Sequence, residues 1–522
     1  MKQRKGKGWM LSAGLALTIL IGGCSQASTD SSSSGTGANP SQQPPAASEA
    51  PPEKTISIEY FAGISTPMLP PKNEDQILKA INEAVNIDLE MSIMTAADAD
   101  NKLNVRVAGG DIPDVFTLSH NQYLEYAKRG VLLDLYPYQD QLSNVPVLLG
   151  EDWDEPAIDG KLYGLKNLAT MGSRYRTYWI RQDWLDALDL KMPTTLDEFV
   201  EVAKAFTFND PDGNQRNDTY GLTGNGMAGF APLFGAFGVP LSAGDAQRGE
   251  FYVEDGNVQN TLYAPGMKEA LGFMNDLVSA GVVEPEMIAN KEAQVRAAAF
   301  QGKVGIAYLP WPSVMKNEFI EEWKTINPAA EWVQMPAIEG PYGRSNNAWD
   351  VVTATKTVVS HKVANDPEKL ERILRMLNFL ASPEGYNLVM YGIEGKHFNL
   401  VDGEVVPTEL LAEEGDFFFP YQILGRKDQE YLSIKFDQQK SYIDFTFADS
   451  HMEVYTSGVV PPEGFNLSDA NRFIQEELLK FTYGRSSINE YDGFLDKLDQ
   501  TFKYRDYFNA ADAYFREKGH IQ

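Results

Sequence analysis

Residues 178–222 read YWIRQDWLDALDLKMPTTLDEFVEVAKAFTFNDPDGNQRNDTYGL. Trp179 and Ile180 close an apolar strand, and Asp183 stands where it caps a helix carrying Trp184, Leu185 and Leu188. Thr195 to Glu198 has capping-box spacing ahead of Phe199, Val202 and Phe206, which recur at helical intervals. Beyond that helix Asp210, Asp212, Asn214, Arg216 and Asp218 fall at alternate positions. A tight loop there aims several oxygens at one point, as a hard cation such as calcium requires. The candidate ligands are the carboxylates of Asp210, Asp212 and Asp218, the amide oxygen of Asn214 and the backbone carbonyl of Arg216. The match to an EF-hand loop is partial, with Gln215 in place of the turn glycine and Gly221 in place of the bidentate glutamate. Because Asp-Pro-Asp-Gly-Asn also favours a tight turn without any ion, the spacing leaves both readings open.

The chain, at 522 residues, exceeds the usual size of one core, so two lobes are expected. At its N-terminus Lys2, Arg4, Lys5 and Lys7 precede an apolar stretch from Trp9 to Ile21, and Ile21-Gly22-Gly23-Cys24 ends at the only cysteine. The apolar stretch is too short and wrongly flanked for a transmembrane helix. The pattern predicts a signal peptide over 1–23 and a bacterial lipobox that leaves Cys24 as a lipidated N-terminus. A lone cysteine in that place excludes intramolecular disulfides, thiolate metal sites and cysteine catalysis. Residues 24–54 hold almost no large apolar side chain, cannot repay the entropy of ordering, and read as a flexible tether.

Cleavage deletes four basic side chains and takes the net charge from −28 to −32. So acidic a surface repels nucleic acid and anionic lipid head groups, although one local basic site for an acidic sugar stays open.

Thr55–Ala62 alternates as a strand, and Ile77, Leu78, Ile81 and Val85 mark a helix over 75–85. Ile87–Met94 is a second strand, a helix follows up to Gly109, and Val115–Leu118 is a third, buried strand. That alternation predicts a parallel α/β sheet covered on both faces. Ligands bind such sheets where carboxyl ends of strands open into loops, here Gly63–Thr66 and Ser119–Gln122. Further along, Met267–Ala280 reads as a helix, Lys303–Leu309 as a strand, Ala348–Thr355 as β-rich, and Pro367–Leu380, Asp469–Phe481 and Asp492–Phe502 as helices.

Several landmarks together resemble the large lipoprotein members of the family 1 extracellular solute-binding proteins, the carbohydrate receptors of ABC importers in Gram-positive bacteria. They are the Arg181-to-Leu185 strand end, the Pro193-to-Phe199 helix start, the 210–221 loop, Gly109-Gly110-Asp111-Ile112-Pro113-Asp114, Asp159-to-Leu165, Ser382-Pro383-Glu384-Gly385 and Tyr391-to-His397. The resemblance implies an α/β, two-lobed periplasmic-binding-protein-like (type II) fold with a hinge and a ligand cleft between the lobes. It places the N-terminal lobe at 55–172 and 352–412, and the C-terminal lobe at 173–351 and 413–522. It also implies a monomeric, lipid-anchored receptor on the extracellular face of the cell membrane, binding an oligosaccharide or modified sugar and serving the transmembrane subunits of an ABC permease. Similar loops in the related alginate receptors hold calcium, which would be structural here; those receptors place a further acidic ligand where this chain has Thr219.

A sugar offers apolar C–H faces rimmed by hydroxyls, so a receptor needs aromatic platforms and bidentate polar groups in a cleft. Trp311 lies between two prolines after a strand and is a candidate platform or a plug beneath its loop. Trp349, with Asn346, Asn347 and Asp350 around it, suits a hinge-side pocket or ordinary packing. Arg181 offers a planar fork of donors, with a salt bridge to Asp183 or Asp186 as its rival role. His397 and Glu394 occupy a glycine-rich turn that reaches a cleft or merely holds structure. No Gly-x-Ser-x-Gly elbow, HExxH pair or P-loop is present, and five scattered histidines form no metal triad. The chain is therefore expected not to be an enzyme. A surface glycoside hydrolase or lyase remains the alternative because 73 acidic residues guarantee chance carboxylate pairs; a receptor for peptides or another non-sugar solute is the second.

Overall fold

The computed structural model describes residues 54–64, 68–151, 153–168, 172–241, 248–352 and 355–522. The expected leader over 1–23, Cys24, almost all of the tether, and Ser65 and Thr66 lie outside them. In chain order the strands used below are β1 (Ile56–Gly63), β2 (Ile87–Met94), β3 (Val115–Leu118), β4 (Leu165–Lys166), β5 (Arg176–Arg181), β6 (Tyr220–Thr223), β7 (Val304–Pro310), β8 (Trp332–Met335), β9 (Trp349–Asp350), β10 (Lys356–Val359) and β11 (Glu453–Val454). The helices are α1 (Gln76–Val85), α2 (Ala96–Ala108), α3 (His120–Lys128), α4 (Gln182–Ala187), α5 (Leu196–Phe208), α6 (Pro367–Leu380), α7 (Lys440–Ala448) and α8 (Tyr504–Glu517).

The first sheet has the order β2-β1-β3-β10-β4, with β1 parallel to β2 and β3, and β10 antiparallel to β3 and β4. The two-residue period of β1 divides it between two cores. Ile58, Tyr60 and Ala62 pack with Ile77 and Ile81 of α1 and Ile373 of α6. Phe61 joins Leu103 of α2, Phe116 of β3 and Tyr123 of α3 on the other face. The expected parallel, doubly covered arrangement holds for β1, β2 and β3, but the antiparallel β10 makes the whole sheet mixed, and the α1 and α6 stripes are the ones the apolar spacing predicts. Asp75 starts α1 by accepting the Leu78 N–H at 3.0 Å, and Asn86 ends it in the left-handed region at φ 52°.

The second sheet has the order β8-β5-β7-β6, with β5 antiparallel to β8 and β7, and β6 parallel to β7. The Thr195–Glu198 capping box opens α5. The Phe206 ring of α5 lies so close over Gly305 of β7 that a Cβ there would stand 2.0 Å from it. Only glycine lets helix and sheet meet at this distance.

Two expectations need correction. Asp183 does not cap α4: the cap position is Arg181, without a side-chain cap, and Asp183 lies inside the first turn. Its carboxylate takes Arg181 and the Glu331 N–H instead. Among the described residues of 348–355, Trp349–Asp350 is the part in a strand, and Thr353 and Ala354 lie outside the described residues.

The chain leaves the first sheet after Leu168 and re-enters it at Thr355, and these passages are stitched together. Asn167 donates its N–H to Thr355 O and its Nδ2 to Thr355 Oγ1, both at 3.0 Å. Leu168 N donates to Leu424 O at 2.9 Å alongside.

Candidate functional site

At the crossing, β9 pairs in parallel with β11, and His451 holds the approach with Nδ1 3.1 Å from Asn347 O. Trp349 is half-buried on this short strand, and its Nε1 is buried with no hydrogen-bond partner. The Arg174 guanidinium stacks over the Trp349 ring at 5.1 Å and over Phe447 of α7 at 5.6 Å, while donating to Phe447 O at 2.9 Å. Burial holds the Arg174 pKa below its usual value, with Glu453 and Asp449 pulling the other way. A groove of about 600 Å³ lined by Arg174, Lys427, Asp428, Glu430, Lys440 and Phe447 opens beside this stack. Within the range of small-ligand sites, it joins an aromatic surface to charged and amide groups, the combination a polyhydroxylated ligand requires.

Next to Trp349, Asp350 accepts the N–H groups of Val352 at 3.0 Å and Ser457 at 2.9 Å, and lies 3.4 Å from Arg248 Nη2. Arg248 also reaches the fully buried Glu250 at 3.3 Å. Burial raises the Asp350 pKa, and Glu250 adds to the rise. This chain of charges fixes the backbone that carries Trp349.

The other nominated residues fall elsewhere. Asn347 is fully buried beneath the crossing. Trp311, also fully buried, has its ring edge-on to Phe436 at 5.3 Å and Tyr175 at 6.5 Å. Arg181 is 1% exposed, forks onto Asp183 at 2.7 and 2.5 Å, and lies over Trp184 at 4.6 Å. His397 is buried, with Nδ1 accepting the Ile393 N–H at 2.8 Å and Nε2 3.0 Å from Glu414 Oε2. Glu394 in the same turn is exposed. Arg174 carried no sequence signal beyond its place before a strand. His120, just past the carboxyl end of β3, falls inside the 119–122 stretch that the sheet rule indicated, where the structure has Ser119 capping α3 instead of an open loop.

In the 210–218 loop the polar groups converge. Asp210 Oδ2 accepts the Gln215 N–H at 3.0 Å, and Asn214 Nδ2 donates to Asp212 Oδ2 at 2.8 Å and Asp218 Oδ1 at 3.2 Å. Asp210 Oδ1 is buried without a partner. Burial raises the Asp212 pKa, with Asp210 and Asp218 adding to it against the Asn214 N–H. Gln215 sits at φ 61°, so the turn an EF-hand makes with glycine is made here by a side-chain-bearing residue, at about 1–2 kcal/mol. The donor set and the orphaned oxygen fit an oxygen-liganded cation in kind. Among the described residues, however, no three His, Cys, Asp or Glu side chains are drawn together closely enough to hold one.

A family model described as bacterial extracellular solute-binding protein matches residues 71–387. This chain belongs to that family. As a bacterial extracellular solute-binding protein it is 26% identical over 394 residues to the polygalacturonan/rhamnogalacturonan-binding protein YtcQ of Bacillus subtilis, covering 74% of this chain and 72% of that one. The fold matches the Streptococcus pneumoniae ABC-transporter substrate-binding protein FusA in complex with kestose, at a TM-score of 0.66 and 20% identity over 89% of this chain and 99% of that one. A second FusA structure, an EF-hand mutant in complex with fructo-nystose, matches at a TM-score of 0.65 and 19% identity over 89% and 100% of the two chains. The fold is therefore the two-lobed one of solute-binding proteins.

Proposed function

We propose that this solute-binding protein is the receptor of an ABC importer, capturing an oligosaccharide or modified sugar between its lobes and passing it to the permease. The observation that carries the reading is the Trp349–Arg174–Phe447 stack beside the crossing, with an indole N–H that lacks an acceptor. The exposed part of the Trp349 and Phe447 stack covers a sugar C–H face, and the groove carboxylates accept from its hydroxyls. The lobes are 55–172 with 352–412, and 173–351 with 413–522. Their hinge is the stitched pair of crossings at Asn167 and Thr355. Ligand contacts to both lobes exist only in the closed state, so binding shifts the population toward closure.

The chain acts without turnover and works as a monomer, held at the extracellular face by lipid on Cys24. Calcium, where bound, is held by Asp210, Asp212, Asn214, the Arg216 carbonyl and Asp218, and supplies cohesion to the loop after α5. Relatives named for binding polygalacturonan or rhamnogalacturonan and as a fructooligosaccharide transporter's substrate-binding protein support the sugar class.

A thermal-shift and calorimetry screen against oligosaccharides, with the ligand recovered afterwards, tests this. A ligand at 100 times its Kd adds about 2.7 kcal/mol of stability, and intact sugar is the expected product. Cleaved sugar would replace this reading with a hydrolase, and silence to sugars alongside a response to peptides would end the carbohydrate assignment.

A further inference from the structure

The register of the first sheet sets Lys356 of β10 between Leu118, the last residue of β3, and Lys166, the last residue of β4. All three lie at the carboxyl edge of the parallel strands, where α/β sheets receive ligands. Cross-strand partners share a face with Cβ atoms about 5 Å apart, so the two lysines leave the sheet side by side, and Lys166 lies near enough to help lower the Lys356 pKa, after burial. Lys356 is only 2% exposed.

Two residues past Leu118, His120 opens α3 with its Nδ1 buried and unpartnered. A third cation, Lys518, follows α8, whose Tyr507, Ala511 and Phe515 are rooted in the core of the second sheet. Lys518 is close enough to act on both His120 and Lys356. The group thus spans both cores. Glu155 acts on Lys356 in the opposite sense, and burial with the other cations outweighs it. Burial first, then Lys356 and Lys518, push the His120 pKa down to about 4, so the imidazole is neutral at physiological pH. Lys166 and Lys356 engage other groups as well. Even so, three lysines gathered at a ligand edge run against a chain whose net charge is −28.

We infer that the captured sugar is acidic: an oligosaccharide bearing uronate carboxylates, with Lys166, Lys356 and Lys518 as counter-charges and neutral His120 as a hydrogen-bonding partner. This rests on the receptor reading above. Lysines from β4, β10 and the end of α8 form an extended set of point charges, which suits carboxylates spaced along a sugar chain better than one compact anion.

Calorimetry on the detergent-solubilised full chain with trigalacturonate, its methyl ester, galactotriose and kestose separates the possibilities. The acid is expected to bind about tenfold tighter than the ester, because only the acid makes charge-assisted contacts, and to lose that margin in high salt. Lys518→Ala, at an exposed position, and Lys166→Gln are each expected to shrink the margin about threefold or more with the fold intact by circular dichroism. Equal or tighter binding of the ester, a preference for galactotriose or kestose, or variants that weaken acid and ester alike would overturn the acidic-ligand assignment and leave the sugar receptor standing. Silence toward all four would overturn the acidic-ligand assignment, while the wider oligosaccharide and peptide screen decides the receptor reading.

Discussion

Lys356 stands directly across the sheet from Lys166, at the edge where the parallel strands of the first sheet end. Like charges in that register lower stability by several tenths of a kcal/mol, and a carboxylate placed between them reverses the sign. Lys166→Gln is therefore expected to weaken the grip on an acidic sugar by about threefold or more while moving the melting temperature of the ligand-free protein by less than about 1 °C, because both lysines also engage other groups. Differential scanning calorimetry with and without trigalacturonate checks both halves. A gain in melting temperature from trigalacturonate that is the same in the variant and the wild type would show that Lys166 does not meet the ligand.

Trp349 carries a prediction that does not depend on the charge of the sugar. The ring is half-buried under Arg174, so Trp349→Ala removes a platform at a smaller structural cost than emptying a fully buried site. Its affinity for the captured oligosaccharide should fall by about 2–3 kcal/mol, with Trp349→Phe keeping the stacking part. Trp311→Ala empties a fully buried site against Phe436 and should act on stability instead, by about 3–5 kcal/mol. Isothermal titration and thermal melts on the two variants separate the roles.

The contrast between these tryptophans shows how far the sequence could be read. Period-two and period-3.6 apolar spacing marked β1, β2, β3, α1 and α6 because burial alone dictates those patterns. Prolines beside Trp311 mark a turn in the backbone but carry no trace of Phe436, which arrives from more than a hundred residues away to cover the ring. A salt bridge from Arg181 to Asp183 or Asp186 was legible as a rival to ligand binding, since both lie within a turn of it, and the structure has Asp183 as the partner. The Lys356–Lys166 register was not legible, because it depends on an antiparallel strand returning to a parallel sheet after a long excursion. The carboxyl end of β3 was legible from the sheet rule but not as a loop, since Ser119 caps α3 there, and the chemistry of His120 comes from burial first and then from Lys356 and Lys518, which only the fold brings near it.

The 210–218 loop should respond to calcium. With Asp210 Oδ1 unpartnered and Asn214 Nδ2 shared between Asp212 and Asp218, a cation replaces one amide donor and satisfies the orphaned oxygen. Added calcium is expected to raise the melting temperature, and Asp210→Asn to abolish that increment without changing sugar affinity. A chelator titration followed by melting reads it. An equal response in wild type and Asp210→Asn would place any bound calcium elsewhere.

His120 makes the stability of the free protein depend on pH. Its folded pKa is about 4, against 6.5 for an unperturbed imidazole, because burial, Lys356 and Lys518 all oppose the charged form. Between these values the unfolded chain binds the proton and the folded chain does not, so stability falls as pH is lowered from 6.5 toward 4 and levels off below. Fully expressed, the loss is at most about 3 kcal/mol, reduced by the solvent that still reaches the ring. Replacing the imidazole with a group that does not titrate, as in His120→Gln, should flatten this limb of the stability curve while the carboxylate-driven loss at lower pH remains. Urea denaturation of both proteins at intervals across that window measures it. Parallel curves would mean that His120 takes up its proton in the folded state as readily as in the unfolded one.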